Sequence, residues 1–147
     1  MKRLALLLLS VVALAACGGS SRLSKSSYDQ HLQKDGNSVQ KAVTAITKSP
    51  ASLAAFVKSV DAAETAVNNA ATDLDSIKPP KDADADNTAI VAAFKAIGSA
   101  LEQVKTNPAG AATIVSKLES SPKVKAAEKA TADLTSKGYK VGVIAAP

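Results

Sequence analysis

An all-α fold, an up-and-down antiparallel four-helix bundle with its fourth helix in two pieces, is what this 147-residue sequence predicts. Apolar residues recur at three- and four-residue steps along successive stretches, the period that gathers them on one face of a helix. Proline, serine and asparagine separate those stretches at positions suited to helix starts and stops. No segment sustains strand alternation apart from a short run over 139–144. Short connections between amphipathic helices favour antiparallel neighbours. Aromatic residues make up only 3% of the chain and tryptophan is absent, so the expected core relies on close helix contacts and an aromatic recognition platform is not expected.

The chain opens with the parts of a secretory leader: Lys2 and Arg3, an apolar run over 4–14, and the small residues Ala15 and Ala16. A permanent span needs about 20 apolar residues, so a cleaved signal over 1–16 is the expectation. Leu14-Ala15-Ala16-Cys17, followed by Gly18, resembles the lipobox of bacterial lipoproteins. That resemblance covers the leader alone. It implies cleavage between Ala16 and Cys17, a diacylglyceryl thioether on Cys17, and anchoring to the cell membrane on its extracytoplasmic side. Two acyl chains hold a protein stably where one holds it marginally. Cys17 is the sole cysteine, so lipidation leaves no thiol for a disulfide and stability rests on packing. Cleavage also removes the positive charges of Lys2 and Arg3, taking the formal charge from +5 to +3.

After the leader, residues 17–27 are expected to be the lipidated cysteine and a flexible Gly/Ser tether, and 28–147 a single helical domain. Arg22 and Lys25 are read as solvated tether charges, or more sharply as attracted to anionic head groups. The first helix is expected over 26–48, with Tyr28, Leu32, Val39, Val43 and Ile46 on one face. Gly36 weakens its middle by about 1 kcal/mol relative to alanine. The second runs from a Ser49-Pro50 start to a Pro79-Pro80 stop, with a stripe through Leu53, Phe56, Val60, Val67 and Leu74. The third follows the acidic stretch 82–86 and sets Ile90, Phe94, Ile97, Leu101 and Val104 at bundle-seam spacing. The fourth opens twice, at Asn107-Pro108 and Ser121-Pro122. Ile114, Val115 and Leu118 are to be buried from its first piece, and Val124, Ala127, Thr131 and Leu134 from its second. Lys137-Gly138 supplies a stop. The apolar tail 139–144 is expected to fold over the bundle end or to dock on a partner as an added strand.

Chemistry-bearing patterns are sparse. Asp82, Asp84 and Asp86 alternate like the opening of an EF-hand, but Asn87 stands where its glycine belongs and Ala93 where its bidentate glutamate belongs. Those aspartates are read instead as stabilising, and one of them as capping, the start of the third helix. His31 is the only histidine and falls beside Gln30 on the polar side of the first helix, so it is read as a solvated residue and no metal site is assigned. No Gly-x-Ser-x-Gly turn, phosphate loop or haem-attachment run occurs. Asp61 and Glu64, one turn apart, are read as surface charges. No catalytic residue and no cofactor are expected.

Lysines give a pI of about 9.4 but are spread over every helix, without the basic stripe and interleaved aromatics of a nucleic-acid binder. Their densest group, Lys117, Lys123, Lys125 and Lys129, is read as a solvated face, with an acidic envelope polymer as the sharper partner. Ile77-Lys78-Pro79-Pro80 between two amphipathic helices, together with Gly138-Tyr139, is similar to a pattern in small uncharacterised helical lipoproteins and secreted proteins of high-GC Gram-positive bacteria. The resemblance implies a secreted helical domain and carries over no activity. The leading expectation is a membrane-anchored, non-enzymatic interaction or structural module of the cell envelope, with another envelope component as partner. The alternative is a carrier or sensor of a small apolar ligand, held in the bundle interior by Phe56, Phe94, Ile97 and Leu101.

Overall fold

The computed structural model describes residues 21–48 and 51–142. The leader with Ala16 and Cys17, the Ser49-Pro50 pair, and the tail from Val143 lie outside the described residues. Five helices follow one another: α1 (Lys25–Thr47), α2 (Leu53–Ser76), α3 (Asp84–Thr106), α4 (Ala111–Glu119) and α5 (Pro122–Ser136). Single 3-10 turns over Lys81–Ala83 and Pro108–Gly110 precede α3 and α4. No strand occurs among the described residues, and none of their helices is long and apolar enough to cross a membrane.

Local chemistry sets the helix ends. Ser24, Ser52 and Ser121 each accept a hydrogen bond from the backbone N–H three residues on, at Ser27, Ala55 and Val124, which satisfies one orphan donor of the first turn. The cap of α2 is therefore Ser52, later than the expected Ser49. Lys81, Asp82 and Ala83 form the turn into α3, which has no side-chain cap. The cap position falls on Ala83, which has no side-chain acceptor, so the capping expected of one of the aspartates is not observed, while Asp84 and Asp86 do stand in the first turn. Gly138 closes α5 with φ +76°. There the Tyr139 N–H donates to the Leu134 carbonyl at 3.0 Å and the Gly138 N–H to that of Thr135 at 2.9 Å, the paired bonds of a Schellman stop.

α2 packs between α1 and α3, and α3 also carries α4 and α5. The principal core joins Tyr28 and Leu32 of α1, Val67 and Leu74 of α2, Ile90 and Phe94 of α3, and Leu134 of α5. α4 departs from expectation. It has no buried residue: Val115 is 46% exposed, and Ile114 and Leu118 are half-buried. Nine residues long and seated chiefly against α3, this helix has too little neighbouring surface to be enclosed. In α5, Ala127, Ala130 and Leu134 are buried while Val124 and Thr131 are half-buried.

One end of the helical body is a clasp. The Leu23 N–H donates to the Lys78 carbonyl at 2.8 Å; Arg22 Nη1 reaches the Pro79 carbonyl at 2.9 Å and Asp84 at 2.6 Å. Lys25 Nζ donates to the Lys137 carbonyl at 2.6 Å and stands 4.6 Å from the centre of the Tyr139 ring. Arg22 and Lys25, expected as free tether charges, are both engaged, and α1 begins before the expected domain start at residue 28. Tyr139 is 5% exposed, meets Tyr28 edge to face at 5.7 Å, and donates to Asp82 at 2.8 Å. The chain then turns back along α1, where the Lys140 N–H donates to Asp29 Oδ1 at 3.0 Å. A methyl group at Gly36 would come within 3.1 Å of the Gly142 backbone, so the glycine that weakens the helix also admits the returning chain. Over residues 139–142 the tail folds back as the first of its two expected courses required.

Candidate functional site

Asp35 is the anomaly from which the site is built. The buried residues of α1 include Tyr28, Leu32, Asp35 and Val39, four positions at seam spacing, so a carboxylate stands where an apolar side chain belongs. It is 4% exposed. His31 lies one turn before it, and residues four apart share a helix face. Across the interface α2 contributes Asp73, with small residues Ala62, Ala66 and Ala70 lining the groove alongside. The groove has a volume of about 430 Å³, and Lys34, Asp35, Ser38, Thr65 and Asp73 give it a polar wall.

Within this cluster His31 Nδ1 lies 2.7 Å from Asp73 Oδ2. Lys34 Nζ reaches Asp73 Oδ2 at 3.5 Å and Asp35 Oδ1 at 3.9 Å. The imidazole nitrogen and one oxygen from each carboxylate lie within 4.8 Å of one another. Asp35 Oδ2 is buried and has no hydrogen-bond partner. Burial first, and a hydrogen bond with the Asp73 carboxyl second, push the Asp35 acid up to about 6. Burial pushes Asp73 upward too, but the hydrogen bond with His31, the Asp35 carboxyl and the charge of Lys34 together hold it below the ordinary carboxylate range. Two acids this close favour one negative charge between them unless a cation intervenes.

His31 is thus half-buried and partnered, where the sequence suggested a solvated side chain. Its partner is 42 residues away on another helix, beyond the reach of local pattern. The signal for Asp35 lay in the sequence: the spacing of Tyr28, Leu32 and Val39 passes through residue 35.

No family model, curated protein or solved structure matches the chain. The site therefore stands on its own geometry.

The other candidate residues have structural neighbours. Phe94 is 1% exposed in the core, with Ile97 and Leu101 packed against that cluster; Phe56 is half-buried and stands outside it. A smaller groove of about 250 Å³ between α3 and α4 is lined by Ala96, Ala100, Gln103, Ile114, Lys117 and Leu118. Asp82 accepts from Tyr139, Asp84 pairs with Arg22, and Asp86 accepts from Lys137 at 2.6 Å, so the acidic stretch ties the clasp together. Asn87, in the position an EF-hand reserves for glycine, accepts from Tyr28 at 3.0 Å and donates to the Leu74 carbonyl at 2.9 Å, serving the open C-terminal end of α2. Asp61 and Glu64 share Lys105 at 3.1 and 2.6 Å, an ion triad joining α2 to α3. Lys117, Lys123, Lys125 and Lys129 are exposed, and Lys129 pairs with Asp133.

Proposed function

We propose that the chain is a lipid-anchored, extracytoplasmic module of the cell envelope that works by non-enzymatic binding to another envelope component, with its helices arranged as an up-and-down four-helix bundle. The observation that carries the reading is Leu14-Ala15-Ala16-Cys17 at the end of a cationic and apolar leader. Contact order along the helices supports the arrangement. His31 pairs with Asp73 while Ser38 shares a groove with Ala66, and Lys95 pairs with Asp75 while Lys105 pairs with Glu64. α1 against α2 and α2 against α3 thus run in opposite senses, and in the proposed bundle α4 with α5, both packed on α3, is the fourth column.

The clasp supports a close association with the head groups. Between Cys17 and Arg22 the chain extends by at most about 18 Å, so lipidation of Cys17 holds the clasp end of the bundle near the bilayer. The α4 side and the exposed lysines of α5 then face outward, where a protein or an acidic polymer can reach them.

Expression of the full chain in a lipoprotein-processing bacterium tests this reading. Mass spectrometry of the N-terminal peptide is expected to find diacylglyceryl-Cys17, and Cys17→Ala is expected to leave the membrane fraction. Crosslinking in the native cells then identifies the neighbour. An unlipidated Cys17 with unchanged fractionation overturns the anchor; a lipidated protein with no reproducible neighbour overturns the binding role.

A further inference from the structure

We infer that His31, Asp35 and Asp73 form a binding site for one divalent first-row transition metal ion, which joins α1 to α2. The inference stands apart from lipid anchoring, because it rests only on the groove between those helices.

Three observations converge on a cation. The first is the ligand set: one imidazole nitrogen and two carboxylate oxygens, drawn from two helices, within 4.8 Å of one another. The second is Asp35 itself, 4% exposed, whose Oδ2 has no hydrogen-bond partner. A buried ionised carboxylate is costly unless a positive charge and a ligand for its lone pairs accompany it, and a metal ion supplies both. The third is access. The groove passes beside Asp35 and Asp73, leaving room for the water ligands that complete a three-residue site.

The donor types narrow the ion. Calcium takes six to eight oxygens, more than this set offers, and imidazole draws zinc, cobalt, nickel and iron ahead of the hard cations. Ligand atoms sit about 2.0–2.2 Å from such an ion, so those sharing it are roughly 3–4 Å apart. The contact between His31 Nδ1 and Asp73 Oδ2, 2.7 Å, opens slightly as the ion enters, and Asp35 closes in. Two carboxylates neutralise the charge of a divalent ion. Lys34, whose side chain is 68% exposed, is free to swing into solvent and release both acids. A proton shared between Asp35 and Asp73 is the competing account of the same cluster.

The test is titration of the full-length chain, stripped with chelator, with zinc chloride by equilibrium dialysis. One ion per chain with micromolar or tighter affinity is expected. His31→Gln and Asp35→Asn are each expected to weaken binding by about tenfold or more. The chain has a single histidine, so the imidazole resonances of His31 report on the site directly and are expected to move with the first equivalent of zinc. Circular dichroism checks that Asp35→Asn still folds; if it does not, the half-exposed His31 variant and the resonances decide the matter. Absence of saturable binding overturns the site. So does binding that His31→Gln leaves unchanged, or a histidine signal unmoved at one equivalent, and the shared proton then accounts for the cluster.

Discussion

Two tyrosines show how much a single residue does at the clasp. Tyr28 is fully buried and donates to Asn87; Tyr139, from the far end of the sequence, lies across it and donates to Asp82. Burial, then the hydrogen bond to Asp82, pushes the Tyr139 phenol up to about 12, and burial with the charge of Asp86 raises that of Tyr28 as well. An unfolded tyrosine releases its proton at about pH 10. Between that pH and about 12 the folded chain holds protons that the unfolded chain has lost, so stability is intact below the window and declines as pH rises through it. Urea denaturation at stepped alkaline pH is expected to show this decline, and Tyr139→Phe a shallower one. Equal slopes for the two proteins would remove the tyrosine from the explanation. Residues of this kind were only partly legible in the sequence. The stripe through Tyr28 and Leu32 marked buried positions, but hydrogen-bond partners 59 and 57 residues away leave no local trace. At Asp35 the residue type masks a spacing that otherwise marks a buried position.

At the scale of the element, glycines within helices separate intrinsic preference from tertiary demand. Gly36 and Gly98 both lie inside helices, and each is expected to gain up to about 1 kcal/mol on replacement by alanine from helix propensity alone. Their surroundings differ. A methyl at Gly98 meets the Oδ1 end of the exposed Asn68 side chain, whereas a methyl at Gly36 meets the Gly142 backbone at 3.1 Å. The asparagine can turn into solvent; the backbone is held beside α1. Gly98→Ala is therefore expected to raise the melting temperature, and Gly36→Ala to gain less or to lose stability. A larger gain at Gly36 would show that the tail contributes nothing there. Helix ends were readable where a proline follows a capping residue, as at Ser121-Pro122. The start of α2 falls later than expected because Ser52 accepts from the Ala55 amide without a proline to announce it. Burial of α4 was misjudged because amphipathic spacing tells which side faces inward but not how much protein waits there.

For the whole molecule, the chain of contacts runs from α1 through α2 to α3, with α4 and α5 both depending on α3. Local stability follows enclosure. α3 contributes nine buried residues and α4 none, so native-state hydrogen exchange is expected to leave α4 amides the least protected of the five helices and the centre of α3 the most. Slow exchange throughout α4 would contradict this ordering. The all-helical class was legible because apolar periodicity is a property of each segment by itself. The pairing of segments was less so, since it depends on polar side chains such as Lys105 and Asn87 whose partners lie on other helices.

The clasp also decides how the molecule responds to force. A pull on residue 21 does not draw first on the length of α1. It loads Arg22 against Asp84 and the Pro79 carbonyl, and Leu23 against the Lys78 carbonyl, side by side and close to the point of traction. Lys25 and Tyr139 stand immediately behind them, so tension entering at the amino-terminal side is passed to the start of α3 and the end of α5 before any helix must unwind. The body behaves as a buckled strap, in which the fastening takes the load before the helices beyond it give way.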